Sequence, residues 1–277
     1  MVNLIQILQK QLLETKSGSH PEAQRVLLKE ILQAYILDFI YNHSVFRSLN
    51  FYGGTCLHVV YGLNRLSEDI DLDNQAQLDL STFPAELNNF CQNTLDYPMT
   101  YTSIQKSKAG ILRIVLKFPV LKQLGLSMHE DETLHLKIEI SHHKQIAEIE
   151  HTPIFFYGKS FVPAHFSLPT MMSGKMLACI EGNFEKGTSN FKGRDFYDLL
   201  WLMERKVQPL EEKLEKDGEI AYSKISAFMA IEKKVDQISI SALRRDLLPL
   251  FESAQFLESW LNVFKERFLF LLKEYIK

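Results

Sequence analysis

The sequence predicts an α+β protein, and three patterns predict it. Residues 134–141, LHLKIEIS, alternate strictly between apolar and polar, with Leu136, Ile138 and Ile140 on one side and Lys137, Glu139 and Ser141 on the other, the period of a strand with one buried face. Leu4, Ile5, Leu8 and Leu12, and most of the chain from about Thr170 onward, instead repeat apolar residues at the spacing of amphipathic helices. Between these regions, residues 49–73 read as a short buried strand, a glycine pair, a helix and a second strand. A mixed sheet core followed by a helical C-terminal part is therefore expected, divided as an N-terminal helical layer (1–48), a core (49–168) and a helical C-terminal domain (169–277).

Taken in order, the first helix ends at SGSHP, and Pro21 with Glu22 opens a second through Val26, Leu27, Ile31, Tyr35 and Ile40. Residues 49–52 form a strand leading into Gly53 and Gly54, residues 55–63 a helix, and residues 84–95 another helix. Strand-like runs at 99–105 and 111–118 flank KSKAG, which reads as a hairpin turn. Helical stretches follow at 171–180, 196–203, 210–214 and 220–231, separated by charged or glycine-containing connections such as GNFEKGTSNFKG. The last helix, through Phe256, Leu257, Trp260, Leu261, Phe264, Phe268, Leu271 and Tyr275, has a pronounced apolar stripe.

The chemistry concentrates in FYGGTCLHVVYGLNRLSEDIDLD, residues 51–73. Gly53 and Gly54 let the backbone approach a bulky anion, and the first N–H groups of the following helix face that anion. Asp69, Asp71 and Asp73 stand at i, i+2 and i+4; on a strand they share one face while Ile70 and Leu72 bury the other. Clustered carboxylates beside a phosphate cradle are what Mg²⁺-dependent phosphoryl or nucleotidyl transfer needs. A calcium loop fails on detail: an EF-hand opening at Asp69 needs Gly at its sixth position and Glu at its twelfth, where Asn74 and Leu80 stand. Asp73 also reads as a solvated strand end. Two divalent ions call for a third carboxylate, and Glu139, on the polar face of an otherwise apolar strand, is the best placed; its structural reading is a strand residue paired with Lys137 or a neighbour. Asp131 and Glu132 fall in a loop, and His142 and His143, without a matched acid or Cys, read as surface or packing residues. In the helical part, lysines such as Lys175 are ordinarily solvated, while Asp195 and Asp198 would stabilise a helix start and Arg194 would pair with them.

These residues resemble the AbiEii/AbiGii-type nucleotidyltransferase toxins of the DNA polymerase β-like superfamily. The resemblance rests on GGT, thirteen residues, then Asp69-Ile-Asp71, with Arg65 and Ser67 in the arrangement RxSxDID, and on a second block, Lys175 in SGKMLA followed by Arg194, Asp195 and Asp198 in GRDFYDL. It implies a polymerase β-like nucleotidyltransferase core and in-line attack of a hydroxyl on the α-phosphate of a nucleoside triphosphate (NTP). Asp69, Asp71 and Glu139 would hold two Mg²⁺ ions, and Gly53, Gly54 and Thr55 would cradle the β- and γ-phosphates. Arg65, Ser67 and Lys175 would fix the rest of the tail, with Lys175 also counted among the catalytic groups. Arg194, Asp195 and Asp198 would support nucleotide binding. It further implies a bacterial toxin of a toxin–antitoxin or abortive-infection pair, with a cognate antitoxin and RNA, such as the tRNA 3′ end, as acceptor. Many members have a Lys where Arg194 stands, which leaves the preferred nucleotide open. Transfer to a small molecule, as in aminoglycoside nucleotidyltransferases, transfer to a protein, and a non-catalytic nucleotide-binding module remain alternatives.

Composition narrows the setting. Apolar residues at 46% and charged residues at 23% exclude a disordered chain. A net charge of −3 provides no overall basic field for nucleic acid. Any RNA contact must therefore come from a local patch, either Lys106, Lys108, Arg113 and Lys117 on the strand pair or Lys186, Lys192 and Arg194 near the second block. Cys56, Cys91 and Cys179 are odd in number and widely spaced, fitting a reduced, cytoplasmic protein without a zinc site. The N-terminus has no secretion-signal pattern, and no apolar run reaches membrane-spanning length.

Overall fold

A computed structural model describes residues 3–14, 21–106, 110–142, 144–182 and 192–277. The SGSHP break, the KSKAG turn and the GNFEKGTSNFKG connection lie wholly or partly outside the described residues, as do Lys108, His143 and Lys186. The chain divides into two compact units, Met1–Lys144 with Glu150–His165, and Gln145–Ile149 with Phe166–Lys277.

The first unit opens with helices α1 (Leu4–Glu14) and α2 (Pro21–Asn42), followed by strand β1 (Asn50–Tyr52), helix α3 (Gly53–Tyr61), strand β2 (Ile70–Asp73) and helix α4 (Phe83–Asn89). A single wide turn, Phe90–Thr94, extends α4. Strands β3 (Tyr101–Lys106), β4 (Ile111–Phe118) and β5 (Leu134–Ser141) follow, then the short strands β6 (Ile149–His151), β7 (Ile154–Phe156), β8 (Lys159–Phe161) and β9 (Ala164–Phe166). The main sheet runs β3-β4-β5-β2-β1-β9-β6, while β7 and β8 form a separate hairpin. β2 pairs parallel with β5 and β1 parallel with β9; β1–β2, β3–β4 and β4–β5 are antiparallel, so the sheet is mixed.

Alternation gives this sheet two unlike faces. Phe51, Ile70, Leu72, Ile114, Leu116, Ile138 and Ile140 point one way and are fully buried. α2 packs against β5 and is buried almost all round, with Leu28, Ile31, Leu32, Ile36, Leu37 and Ile40 fully enclosed, because α1 covers its other side. A helix apolar on every side is stable only when enclosed in this way. The opposite face of the sheet bears the polar residues described below.

The second unit is helical: α5 (Leu168–Glu181), α6 (Gly193–Glu204), α7 (Glu211–Lys216), α8 (Lys224–Gln237), α9 (Ile240–Leu247) and α10 (Ala254–Ile276). Side-chain caps start three of them. Ser167 accepts from the Thr170 N–H at α5, Ser223 forms a reciprocal capping box with Ser226 at α8, and Ser253 accepts from the Phe256 N–H at α10. Leu257, Leu261, Phe264, Phe268 and Leu272 of α10 form its buried stripe. Residues 145–149 belong here because the backbone N–H of Glu148 donates to Thr170 Oγ1 at 3.0 Å and that of Ile146 to Asp217 Oδ2 at 3.0 Å.

The structure departs from the expectations in three places. The helix after the glycine pair starts at Gly53, two residues early, so both glycines lie in its first turn. Strands β6 to β9 have three residues each, too few for a two-residue alternation to show in sequence. Helix α9 falls between the helical stretch at 220–231 and the last helix, where the periodicity predicts no element.

Candidate active site

Strand register brings distant charged residues into rows. Asp71 stands opposite Tyr52 of β1 and Glu139 of β5; Glu139 stands opposite Arg113 of β4, and Arg113 opposite Gln105 of β3. Residues in register point to the same side of a sheet, so these five form one row on the polar face. On one side of it lies the row Asn50, Asp73 and Ser141, whose side chains are buried. On the other side lie Lys137 and Val115, with Asp69 one residue ahead of β2. Asp69 and Asp71 are half-buried, whereas Asp73 is wholly enclosed and is not the solvated strand end that its position suggested.

Two of the half-buried carboxylates, Glu139 and Asp69, have a cation beside them. Arg113 Nε donates to Glu139 Oε1 at 2.7 Å, and Lys137 Nζ lies 3.8 Å from Asp69 Oδ2. Lys137 thus faces Asp69, and the partner of Glu139 is Arg113. Only the β4–β5 register decides this, since Lys137 and Glu139 are neighbours on one face of the same strand.

The glycine pair has a specific steric reason. Gly53 adopts φ +80°, and a Cβ built there would lie 2.0 Å from Asp71 Oδ2. The Asp71 carboxylate therefore sits directly over the Gly53 backbone at the start of α3, where unpaired N–H groups favour negative charge. A Cβ at Gly54 would lie 2.7 Å from Arg65 Nη2 and 2.9 Å from Ser67 Oγ. Arg65 is 2% exposed and donates to the Leu66 carbonyl at 2.8 Å, so it is packed under the turn. The Thr55 hydroxyl donates to the Asp69 carbonyl, tying α3 to the residue that opens the carboxylate strand.

Helix α2 braces the same loop. Gln33 Nε2 donates to the Ser67 carbonyl at 3.0 Å, and Lys29 Nζ pairs with Glu68 Oε1 at 2.8 Å. Sequence reasoning missed Gln33; the signal available was an amide set within the apolar run Ile31, Leu32, Ala34, Tyr35, Ile36 and Leu37, and the residue is fully buried. Cys56, on α3, is a buried core thiol whose pKa is pushed well up by burial and then by the Asp71 charge, so it stays protonated. Asp131 is exposed in the turn before β5, where Glu132 pairs with Arg25 at 2.6 Å. His142 contacts the Asn74 side chain at 3.3 Å.

The second unit contains a different constellation. Lys175 Nζ lies 2.6 Å from Asp195 Oδ1 and 2.8 Å from Asp198 Oδ2, with Asp198 fully buried. α5 supplies the cation, and the first turn and a half of α6 supplies both acids. The backbone N–H of Arg194, at the start of α6, donates to Asp246 Oδ2 at 2.9 Å.

Asp69, Asp71 and Glu139 are hard oxygen donors, with no imidazole in their rows and the nearest thiol kept protonated, a donor set that suits Mg²⁺ rather than zinc. Among the described residues no group of three or more His, Cys, Asp and Glu side chains is gathered to hold a metal ion. Glu139 is turned to Arg113 instead.

The family model of the nucleotidyl transferase AbiEii toxin, of type IV toxin–antitoxin systems, matches residues 36–275. The chain belongs to this family. It is therefore a member of a nucleotidyltransferase family, as the glycine pair and the DID strand imply. Two solved structures share the fold over nearly the whole chain. JHP933 from Helicobacter pylori has a TM-score of 0.53 at 18% identity, covering 90% of this chain and 93% of that one. A proposed nucleotidyltransferase from H. pylori has a TM-score of 0.51 at 17% identity, covering 89% and 92%. No curated protein matches the chain. Among the described residues, no helix of this AbiEii-family chain is long and apolar enough to cross a membrane.

Proposed function

We propose that this AbiEii-family chain transfers a nucleoside monophosphate from an NTP to a hydroxyl of RNA, the tRNA 3′ end being the favoured acceptor, and that it acts as a toxin restrained by a cognate antitoxin in the bacterial cytoplasm. The observation that supports the chemistry is Asp71. Its carboxylate is seated over Gly53 and stands in register with Glu139 on the next strand. An acid in that position would hold a divalent cation beside phosphates at the start of α3.

In the reaction, an acceptor oxygen bonds to the α-phosphorus as the bond to the β-phosphate breaks, and pyrophosphate leaves with the electron pair. Asp69, Asp71 and Glu139 would hold magnesium, which when bound would supply charge neutralisation at the attacking and leaving oxygens. The chain's own contribution is positioning and preorganised charge. β2, paired on both sides, keeps Asp71 in place; the first N–H groups of α3, with Gly53, Gly54 and Thr55, face the β- and γ-phosphates. Ser67 and Arg65 support that turn from below. Arg113 balances the charge of Glu139, the carboxylate to which it donates. The nucleotide-directed roles of Lys175, Arg194, Asp195 and Asp198 belong to this proposal through the family resemblance. The observation in the second unit that supports them is a lysine held by two acids rather than left in solvent.

The test incubates the protein with each α-labelled NTP, Mg²⁺ and total bacterial RNA, beside Asp69→Ala. Label on RNA with the native protein and none with the variant is the expected result. Label on protein or on a small molecule instead of RNA would overturn the acceptor, and bound nucleotide without any transfer would leave a binding module.

A further inference from the structure

The polar face of the sheet extends beyond the carboxylates. Continuing from Asp69 and Asp71 through β5 and β4 to the edge strand β3, it presents Lys137, His135, Arg113, Lys117, Gln105 and Tyr101. Register places Lys117 between His135 and Tyr101, and Lys117 Nζ lies 5.4 Å from the centre of the Tyr101 ring. Tyr101 is 48% exposed, so its ring is open to stack on a ligand. Among the described residues Lys117 forms no salt bridge, and no Asp or Glu occupies this face on β3 or β4, or on β5 ahead of Glu139. The surroundings are electropositive enough that His135 is lowered below its ordinary value, first by partial burial and then by Lys117, Lys29 and Lys137. The only aliphatic side chain in the patch, Val115, is 5% exposed. The face thus lacks the apolar centre of a protein interface. A stacking ring among cations, leading toward a catalytic site, is instead the arrangement that holds single-stranded nucleic acid.

We propose that the β3–β4–β5 face is the track on which the single-stranded end of the RNA acceptor lies, with Tyr101 stacking on a base and Lys117 and Lys137 meeting phosphates. Strand spacing puts Tyr101 roughly 14 Å from the carboxylate strand, three strand steps away, so the stacked base lies a few nucleotides behind the reacting hydroxyl. This inference rests on the reading of RNA as acceptor, and its test separates the two.

A labelled single-stranded RNA is titrated with the full chain by fluorescence anisotropy at several salt concentrations, and a non-hydrolysable NTP is titrated separately. Tyr101→Ala is expected to weaken RNA binding by about tenfold or more, whereas Tyr101→Phe, which keeps the ring, stays within about twofold. Lys117→Ala is expected to reduce the slope of log affinity against log salt by about 0.7. All three variants should keep native NTP affinity and melting temperature. RNA affinity and salt slope unchanged in Tyr101→Ala and Lys117→Ala overturn the track while leaving the acceptor class standing. Native protein that binds NTP but no RNA overturns the acceptor class as well, and native protein that binds neither overturns the transferase reading.

Discussion

The two charged constellations of this chain use the same residue types at different depths of burial. On the sheet of the first unit, Asp69, Asp71 and Glu139 are half-buried, and Asp69 and Glu139 are each answered from the side by a single cation on a neighbouring strand. In the second unit, Lys175 is enclosed between Asp195 and Asp198, with Asp198 wholly out of solvent. A half-exposed pair contributes little to stability and can exchange its partner, whereas breaking a buried pair leaves an uncompensated charge in a poor solvent. The lesson is that burial, more than charge, separates acids that can exchange their partners from acids whose partners are costly to remove.

That contrast can be broken by experiment. The largest effect is expected at Asp71: Asp71→Ala should cut transfer by on the order of a thousandfold while altering the stability of the first unit by less than about 1 kcal/mol. Near-native turnover at an unchanged melting temperature would remove Asp71 from the chemistry. Next comes Asp198→Ala, expected to cost about 3 kcal/mol in urea unfolding because Lys175 is left with one acid. A loss below about 1 kcal/mol would show the cluster to be as loosely held as the sheet pairs.

The third test sharpens the comparison at its steric root. Gly53→Ala forces a side chain into positive φ and into the Asp71 carboxylate, and should cost about 1–3 kcal/mol. Because the damage to activity runs through Asp71, Gly53→Ala and Asp71→Asn should be far from additive in a double-mutant cycle. Additive losses in kcat/KM would mean that the glycine serves only the backbone turn.

Much of this was legible in the sequence where the signal is local. LHLKIEIS coincides with β5 residue for residue, residues 111–118 coincide with β4, and the C-terminal stripe lies within α10. The three-residue strands β6 to β9 were not legible, because alternation needs more residues to show; β6 and β9 take their place from partners elsewhere in the sheet, and β7 and β8 pair only with each other. At the candidate site, the spacing of Asp69, Asp71 and Asp73 announced a shared face. It could not announce that Asp73 is enclosed, that Arg65 packs under Gly54, or that Gln33 reaches the Ser67 carbonyl from a helix thirty-four residues upstream.

What the sequence determined by itself is the α+β division, the type of most elements, which side chains share a face, and a motif sufficient to place the chain in the AbiEii family. These follow from the strand and helix periods, which are properties of a few consecutive residues. Only the tertiary structure decided that Asp71 lies beside Glu139, that Glu139 answers Arg113, that the Asp71 carboxylate rests on Gly53, and that Lys175 is closed between two acids. Each of these depends on strand register or helix packing between segments distant in the chain, and register is set by how the buried face fits together across the whole sheet.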